Sequence, residues 1–222
     1  MSLLLRIPFA LVFWVFTAGL VLASIDHFQS IRLASLWLLG LGAGFYLLFV
    51  LILSFFKRSM HFAHTFCHEL NHAFFSVLFL KKIKAFQAHA EKGGQVSFEG
   101  KNNLMITLAP YSVPLFALFT VLLKLLAEPR VFPAIHFVVG FFISFHLHSV
   151  FSEFRLYQSD LRVYGFFLSL AFVVFVNLLF LLWIISVSAD DFSAGFHFLK
   201  NAFFSLRDVG MFLVDKAMAV VK

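Results

Sequence analysis

The chain has 222 residues, of which 62% are hydrophobic and 13% are charged, and its formal net charge at pH 7 is +6. Water-soluble domains are typically about 45–50% apolar and about 25% charged, so this composition excludes an ordinary soluble globular protein. Lys and Arg of a polytopic membrane protein collect in its cytoplasmic loops. We therefore interpret the positive charge as a topology signal and expect no nucleic-acid partner.

Six apolar stretches have the length of about 20 residues that a helix needs to cross a bilayer. The first covers residues 7–23, and because it ends in Val-Leu-Ala, a cleaved signal peptide is the alternative to a retained helix. The others cover residues 33–56, 60–80, 104–126, 131–151 and 163–187. Pro110 and Pro114 break the fourth of the six early. The sequence therefore predicts an all-α polytopic protein with about six transmembrane helices, integral to a membrane that we expect to be the cytoplasmic (inner) membrane.

The third stretch contains the motif C-H-E-L-N-H-A. His68 and His72 are four residues apart, so on a helix both imidazoles lie on one face and can share a metal ion. Glu69 can reach a water on that ion, as in the H-E-x-x-H pattern of metalloproteases. His61 and His64 fall on the same helical face. A lone membrane histidine would more simply line a helix interface, but ionisable residues gathered inside a span usually mark function.

Residues 83–100, which follow the motif helix, alternate apolar and polar side chains around Glu91-Lys92-Gly93-Gly94. Paired glycines supply the positive φ angles that tight hairpin turns need. The pattern predicts a small β-hairpin with strands at about residues 83–89 and 95–99, and a plain surface loop is the alternative.

The metal site needs a further ligand, because catalytic zinc takes three protein ligands and keeps one position open for water. Asp160, at the mouth of the last span, is the first candidate, and a helix N-cap is its alternative role. The pair His146 and His148, and Glu153, are the other candidates.

The tail from Asp191 onward has apolar residues at helical spacing, and these are Phe192, Phe196, Leu199, Phe203, Leu213, Val214 and Ala217. Its polar faces carry Lys200, Arg207, Asp208 and Lys216. This pattern predicts a C-terminal amphipathic helix that lies on the membrane surface.

The motif inside a span, the Gly-Gly hairpin after it and an aspartate before a later span together resemble the site-two protease family of intramembrane zinc metalloproteases, over about residues 60–188. The resemblance implies one zinc ion per chain bound by His68, His72 and Asp160, with Glu69 as the general base. Leu161 follows Asp160 where the family usually has glycine. The resemblance also implies an extended segment that pairs with an unwound substrate. That segment comprises Gly94, Gln95, Val96, Ser97 and Phe98.

We therefore expect a zinc-dependent intramembrane endopeptidase that hydrolyses peptide bonds of membrane-embedded proteins or peptides. Its predicted parts are two N-terminal transmembrane helices (1–58), a metalloprotease-like core (59–188) and an amphipathic tail (189–222). One alternative is a membrane di-iron oxidase or hydroxylase, and another is a metal-binding membrane protein without turnover. The histidines available to the di-iron alternative are His61, His64, His68, His72, His146 and His148.

Overall fold

The computed structural model describes residues 3–29, 31, 36–56, 60–89, 93–154 and 158–221. The helices are α1 Leu3–Gln29, α2 Trp37–Phe55, α3 His61–Leu78, α4 Leu104–Ser112, α5 Leu115–Leu122, α6 Phe132–Glu153, α7 Ser159–Tyr164, α8 Phe166–Ala189 and α9 Phe192–Val221. Strands β1 (Ile83–His89) and β2 (Gly93–Phe98) form an antiparallel hairpin between α3 and α4. The predicted domain boundary near residue 188 falls at the end of α8, and the one at 58/59 lies outside the described residues.

Four helices, α1, α2, α6 and α8, are long and apolar enough to cross a membrane. The pair α4 and α5 is bent by 79° and forms a fifth candidate, as a broken span or a re-entrant loop. These helices fit a multi-pass membrane protein, but the described residues contain four or five candidate spans instead of the six predicted. The difference is α3, which is a helix of 18 residues but is not among these candidates. Its histidines, Glu69 and Asn71 dilute the apolar residues that a span requires.

Proline causes the break between α4 and α5. Val113 adopts an extended conformation, with φ −117° and ψ 116°, as expected for the residue before a proline, and Pro114 then starts α5. The N-terminus of α4 is capped by Asn103, whose side chain accepts a hydrogen bond of 2.8 Å from the Ile106 amide. Residues 106–112 of α4 are all buried, so the break lies inside the protein, where irregular backbone is tolerated in a membrane.

Glycines allow α2 and α6 to approach each other closely. A Cβ atom added to Gly42 would overlap the Phe137 carbonyl, and one added to Gly140 would overlap the Leu39 carbonyl. Small residues at such crossings are the usual means of helix association in membranes. This contact brings the C-terminal ends of α2 and α6 together beside the start of α3.

Helix α9 packs on α1 and α8 through one face and leaves apolar residues of its sequence pattern exposed. Phe198 and Ala202 are buried, and Leu206 packs against Gly19 of α1. Phe196 and Phe203, which were expected on the apolar face, are each 65% exposed. The helix itself is confirmed, whereas its location on the membrane surface stays a prediction. The side chains of residues 213, 214, 216 and 217, also part of that pattern, lie outside the described ones.

The β-hairpin is confirmed with a small change in its bounds. The second strand starts at Gly93, two residues before its predicted start, and ends at Phe98. Gly93 has a positive φ of 76°, which glycine adopts without strain. The pairing places Ala85 opposite Ser97 and Phe86 opposite Val96. The turn residues Glu91 and Lys92 lie outside the described residues.

Candidate metal centre

The three predicted ligands meet at one point. His68 and His72 lie one turn apart on α3, and Asp160 lies in the first turn of α7. The two Nε2 atoms are 3.2 Å apart, and each is 3.4 Å from Oδ2 of Asp160. Within the part of the chain that the structure describes, no other group of three His, Cys, Asp or Glu residues brings its ligand atoms this close together.

This triangle has the size of a tetrahedral metal site. Zinc binds histidine nitrogen and carboxylate oxygen at about 2.0–2.2 Å, and tetrahedral geometry then separates the ligand atoms by about 3.3–3.6 Å. The observed separations of 3.2 and 3.4 Å therefore suit an ion of this kind at the centre of the triangle. Three protein ligands leave the fourth tetrahedral position open.

Hydrogen bonds to the other ring nitrogens orient both imidazoles. His72 Nδ1 lies 2.8 Å from the carbonyl oxygen of Ile106, and His68 Nδ1 lies 2.8 Å from Oε2 of Glu153. A carbonyl and a carboxylate only accept hydrogen bonds, so each Nδ1 carries a proton and each neutral ring presents an unprotonated Nε2. Both nitrogens and the Asp160 carboxylate then direct lone pairs at one point, an arrangement that is repulsive unless a cation lies there.

Asp160 is in the form that binds metal ions. Burial by itself would raise the pKa of Asp160, but when no metal ion is bound, a proton on the His68 or His72 ring takes the place of the cation, and its hydrogen bond and positive charge hold that pKa below its ordinary value. The Tyr111 hydroxyl lies 3.5 Å from the same carboxylate oxygen, and its ring packs edge-on against His68 with 5.1 Å between centroids. Sequence analysis missed Tyr111, because a tyrosine beside a proline break has no spacing signal that connects it to the motif.

The other candidates for the third ligand have different partners. His146 Nε2 bonds to Oδ1 of Asn177 at 2.8 Å, and His148 Nδ1 bonds to the Tyr46 hydroxyl at 2.6 Å. Glu153 contacts the outer nitrogen of His68 and not the point where the ligands converge. A carboxylate in this position fixes the tautomer and orientation of a metal-binding histidine. The described arrangement therefore favours Asp160 as the ligand and gives Glu153 an orienting role.

Glu69 lies against the backbone of β2. A Cβ atom added to Gly94 would be 2.7 Å from Oε1 of Glu69 and would also overlap its Cγ. The glutamate is only 7% exposed. Its side chain overlaps the position that the Cβ atom of any larger residue at position 94 would occupy. Position 94 thus requires glycine for close approach, and β2 runs directly over the proposed base.

One cavity of about 420 Å³ connects these groups, and we call it the metal cavity. It is lined by the three predicted ligands, by Glu69 and by four of the five residues predicted to bind substrate. These four are Gly94, Gln95, Val96 and Phe98. Ser97, the fifth, is not in the lining.

Comparison of the chain with protein-family models, with curated proteins and with solved structures found no match. The assignment of a function therefore depends on the motif and on the geometry of this site.

Proposed function

We propose that this protein is a zinc-dependent intramembrane endopeptidase that binds one zinc ion per chain and hydrolyses peptide bonds of membrane-embedded proteins or peptides. The observation that carries the proposal is a single cavity lined by the three converging ligands, by a buried glutamate and by a β-strand that has one unpaired edge within the described residues. A ligand set, a base and a place for an extended chain are the three parts that such a reaction needs.

The donor set supports zinc as the metal. Two imidazoles and one carboxylate, with a fourth position open, match the composition of catalytic zinc sites. Imidazole also binds copper, iron and nickel, so metal content is a direct test. When bound, zinc would lower the pKa of a water to about 7 and polarise the substrate carbonyl.

Glu69 is the proposed proton carrier. It follows His68 in the chain and lines the same cavity as the ligands. There its carboxylate accepts a proton from the attacking water and delivers it to the leaving amine. Glu153 and the Ile106 carbonyl keep the two imidazoles oriented while this happens, because each holds an Nδ1 proton in place.

The hairpin would hold the substrate. In the described residues β2 pairs only with β1, so its second edge has free backbone N–H and C=O groups. A helical substrate has its carbonyls occupied by internal hydrogen bonds, and adding it to β2 as a strand would extend the scissile peptide. Because β2 passes directly over Glu69 at Gly94, such a strand would lie beside the base.

The alternatives receive less support. A di-iron enzyme needs a second group of ligands, and the described residues contain one group of three. A metal-binding protein without turnover would share the ligands but would need neither a base in the cavity nor a free strand edge. Two irons per purified chain would favour the oxidase alternative over zinc hydrolysis.

The proposal predicts cleavage that depends on zinc. Purified protein reconstituted in lipid vesicles with membrane-spanning peptides should cleave them, lose cleavage after treatment with a chelator and regain it when zinc is added. Mass spectrometry of the products identifies the bond, and added magnesium serves as the control ion because it prefers oxygen ligands. Unchanged cleavage by the fully zinc-free protein would argue against the mechanism.

Proline substitutions in β2 test the role of the hairpin. Successive N–H groups of a strand point to opposite edges, so one of Val96 and Ser97 donates to β1 and the other points to the free edge. Because proline cannot donate, we expect Val96→Pro or Ser97→Pro to impair cleavage at least about tenfold with zinc retained. Ser97→Ala is the matched control, because it changes only a side chain outside the cavity lining and keeps the backbone N–H that Ser97→Pro removes. Near-normal cleavage by both proline variants would remove the strand-pairing idea.

A further inference from the structure

A second cavity lies beside the metal cavity, between α2, α3 and α6. Its volume is about 540 Å³, and we call it the vestibule. Its α2 wall includes Val50 and Leu53, and its other walls are largely polar. The polar lining residues are Ser54, His61, His64, His148, Ser152, Glu153 and Gln158. Three histidines and a carboxylate in one cavity of a membrane protein require an explanation, since such residues are costly there.

The vestibule and the metal cavity share part of their walls. His61, Glu153 and Gln158 line both. Of these, Glu153 also contacts the metal-binding His68 at 2.8 Å. The two cavities therefore adjoin at these side chains.

His64 lines the vestibule and has a buried ligand atom without a partner among the described residues. The Ser152 hydroxyl donates to the Ser149 carbonyl at 3.0 Å, so its oxygen accepts from His64 Nδ1 at 3.3 Å. The Nε2 atom of His64 is then unprotonated, and it has no hydrogen-bond partner among the described residues although the side chain is only 5% exposed. A buried polar atom without a partner is rare and points to a ligand.

A second imidazole lies beside His64. The ring centroids of His64 and His148 are 4.8 Å apart, close to the 4.9 Å between the ring centroids of His68 and His72 in the metal centre. Two imidazoles can bind a divalent transition-metal ion, but they bind it more weakly than the three protein ligands of the metal centre. Weak binding suits an ion in transit.

We propose that the vestibule is the route by which the metal ion reaches its site. The hydrated divalent ion is captured by His64 and His148 and passes Glu153 to the three ligands, exchanging water for protein donors. This inference depends on the metal centre of the proposed function but not on proteolysis. Entry through the metal cavity, past the hairpin, is the competing route.

The rate of zinc loading tests the route. Metal-stripped protein in detergent is mixed with zinc, passed over a chelating resin at intervals and analysed by mass spectrometry for bound zinc. His64→Leu removes the capturing nitrogen, and Ser54→Trp fills the vestibule from the exposed side of α2. We expect both variants to load about fivefold or more slowly than the wild type and still to reach one zinc per chain.

His136→Leu is the matched control. Its Nε2 atom is also buried without a partner among the described residues, but His136 lines neither cavity and should load at the wild-type rate. If the loading rates of both test variants fall by less than about fivefold, the proposed route is overturned. The loading assay contains no substrate, so its result does not depend on proteolysis. Wild-type protein that binds zinc but cleaves nothing in the vesicle assay would therefore count against the proposed function alone. Wild-type protein that binds no zinc would overturn both.

Discussion

Replacing Glu69 by glutamine is expected to abolish peptide hydrolysis and to leave one zinc ion per chain. The amide has nearly the size of the carboxylate but cannot accept the proton of the attacking water, and general-base catalysis contributes about 10²–10⁴-fold in rate. Glu69 is not among the converging ligands, so metal content should not change. Cleavage rates and zinc stoichiometry, measured on the same preparation, check both parts.

A change at Gly94 should produce the same result without altering the glutamate. The methyl group of Gly94→Ala would overlap Glu69, so either the base or β2 must move away from the metal centre. Gly40→Ala is the control, because a Cβ there has nothing within 4 Å.

Cleavage by Glu69→Gln at more than about a tenth of the wild-type rate would show that another group acts as the base.

Replacing any one of the three converging ligands is expected to remove most of the bound zinc. We expect His68→Ala, His72→Ala and Asp160→Asn each to weaken zinc binding by more than the 10–100-fold that typically follows loss of an outer-shell partner. Glu153→Gln should fall within about that 10–100-fold range, since Glu153 holds His68 but does not face the metal. Competition with a chromogenic chelator measures all four affinities on one scale.

Histidines of α6 provide the control for that series. His146 bonds to Asn177 and lies outside the ligand triangle, so His146→Ala should retain zinc. If Asp160→Asn binds zinc normally while His146→Ala or His148→Ala does not, the third ligand comes from α6 and the present assignment is wrong.

The predicted elements matched the structure where local forces decide them. The hairpin at residues 83–98 follows from alternation and from glycines that accept positive φ. The break in the fourth apolar stretch follows from Pro114, which forces Val113 out of the helical conformation. The prediction of α3 as a span is not confirmed, because the histidines that identify the motif also make the helix less apolar than the other candidate spans.

The sequence by itself determined one face of the metal centre. The spacing of His68 and His72 is enough to place both imidazoles together, because 3.6 residues per turn is imposed by hydrogen bonds within the helix itself. The same rule places Glu69 at the edge of that face. Nothing outside α3 is needed for this part of the geometry.

Only the tertiary structure decided the remainder. Asp160, Glu153 and His146 were all plausible ligands in the sequence, with Asp160 as the first candidate, and the packing of α6 and α7 around α3 and α4 distinguishes them. That packing brings the Asp160 carboxylate to 3.4 Å from both imidazoles and turns Glu153 to the outer nitrogen of His68. Contacts between residues far apart in the chain depend on the shape of a whole core, where close-packed side chains leave few alternative arrangements, and no local periodicity encodes them.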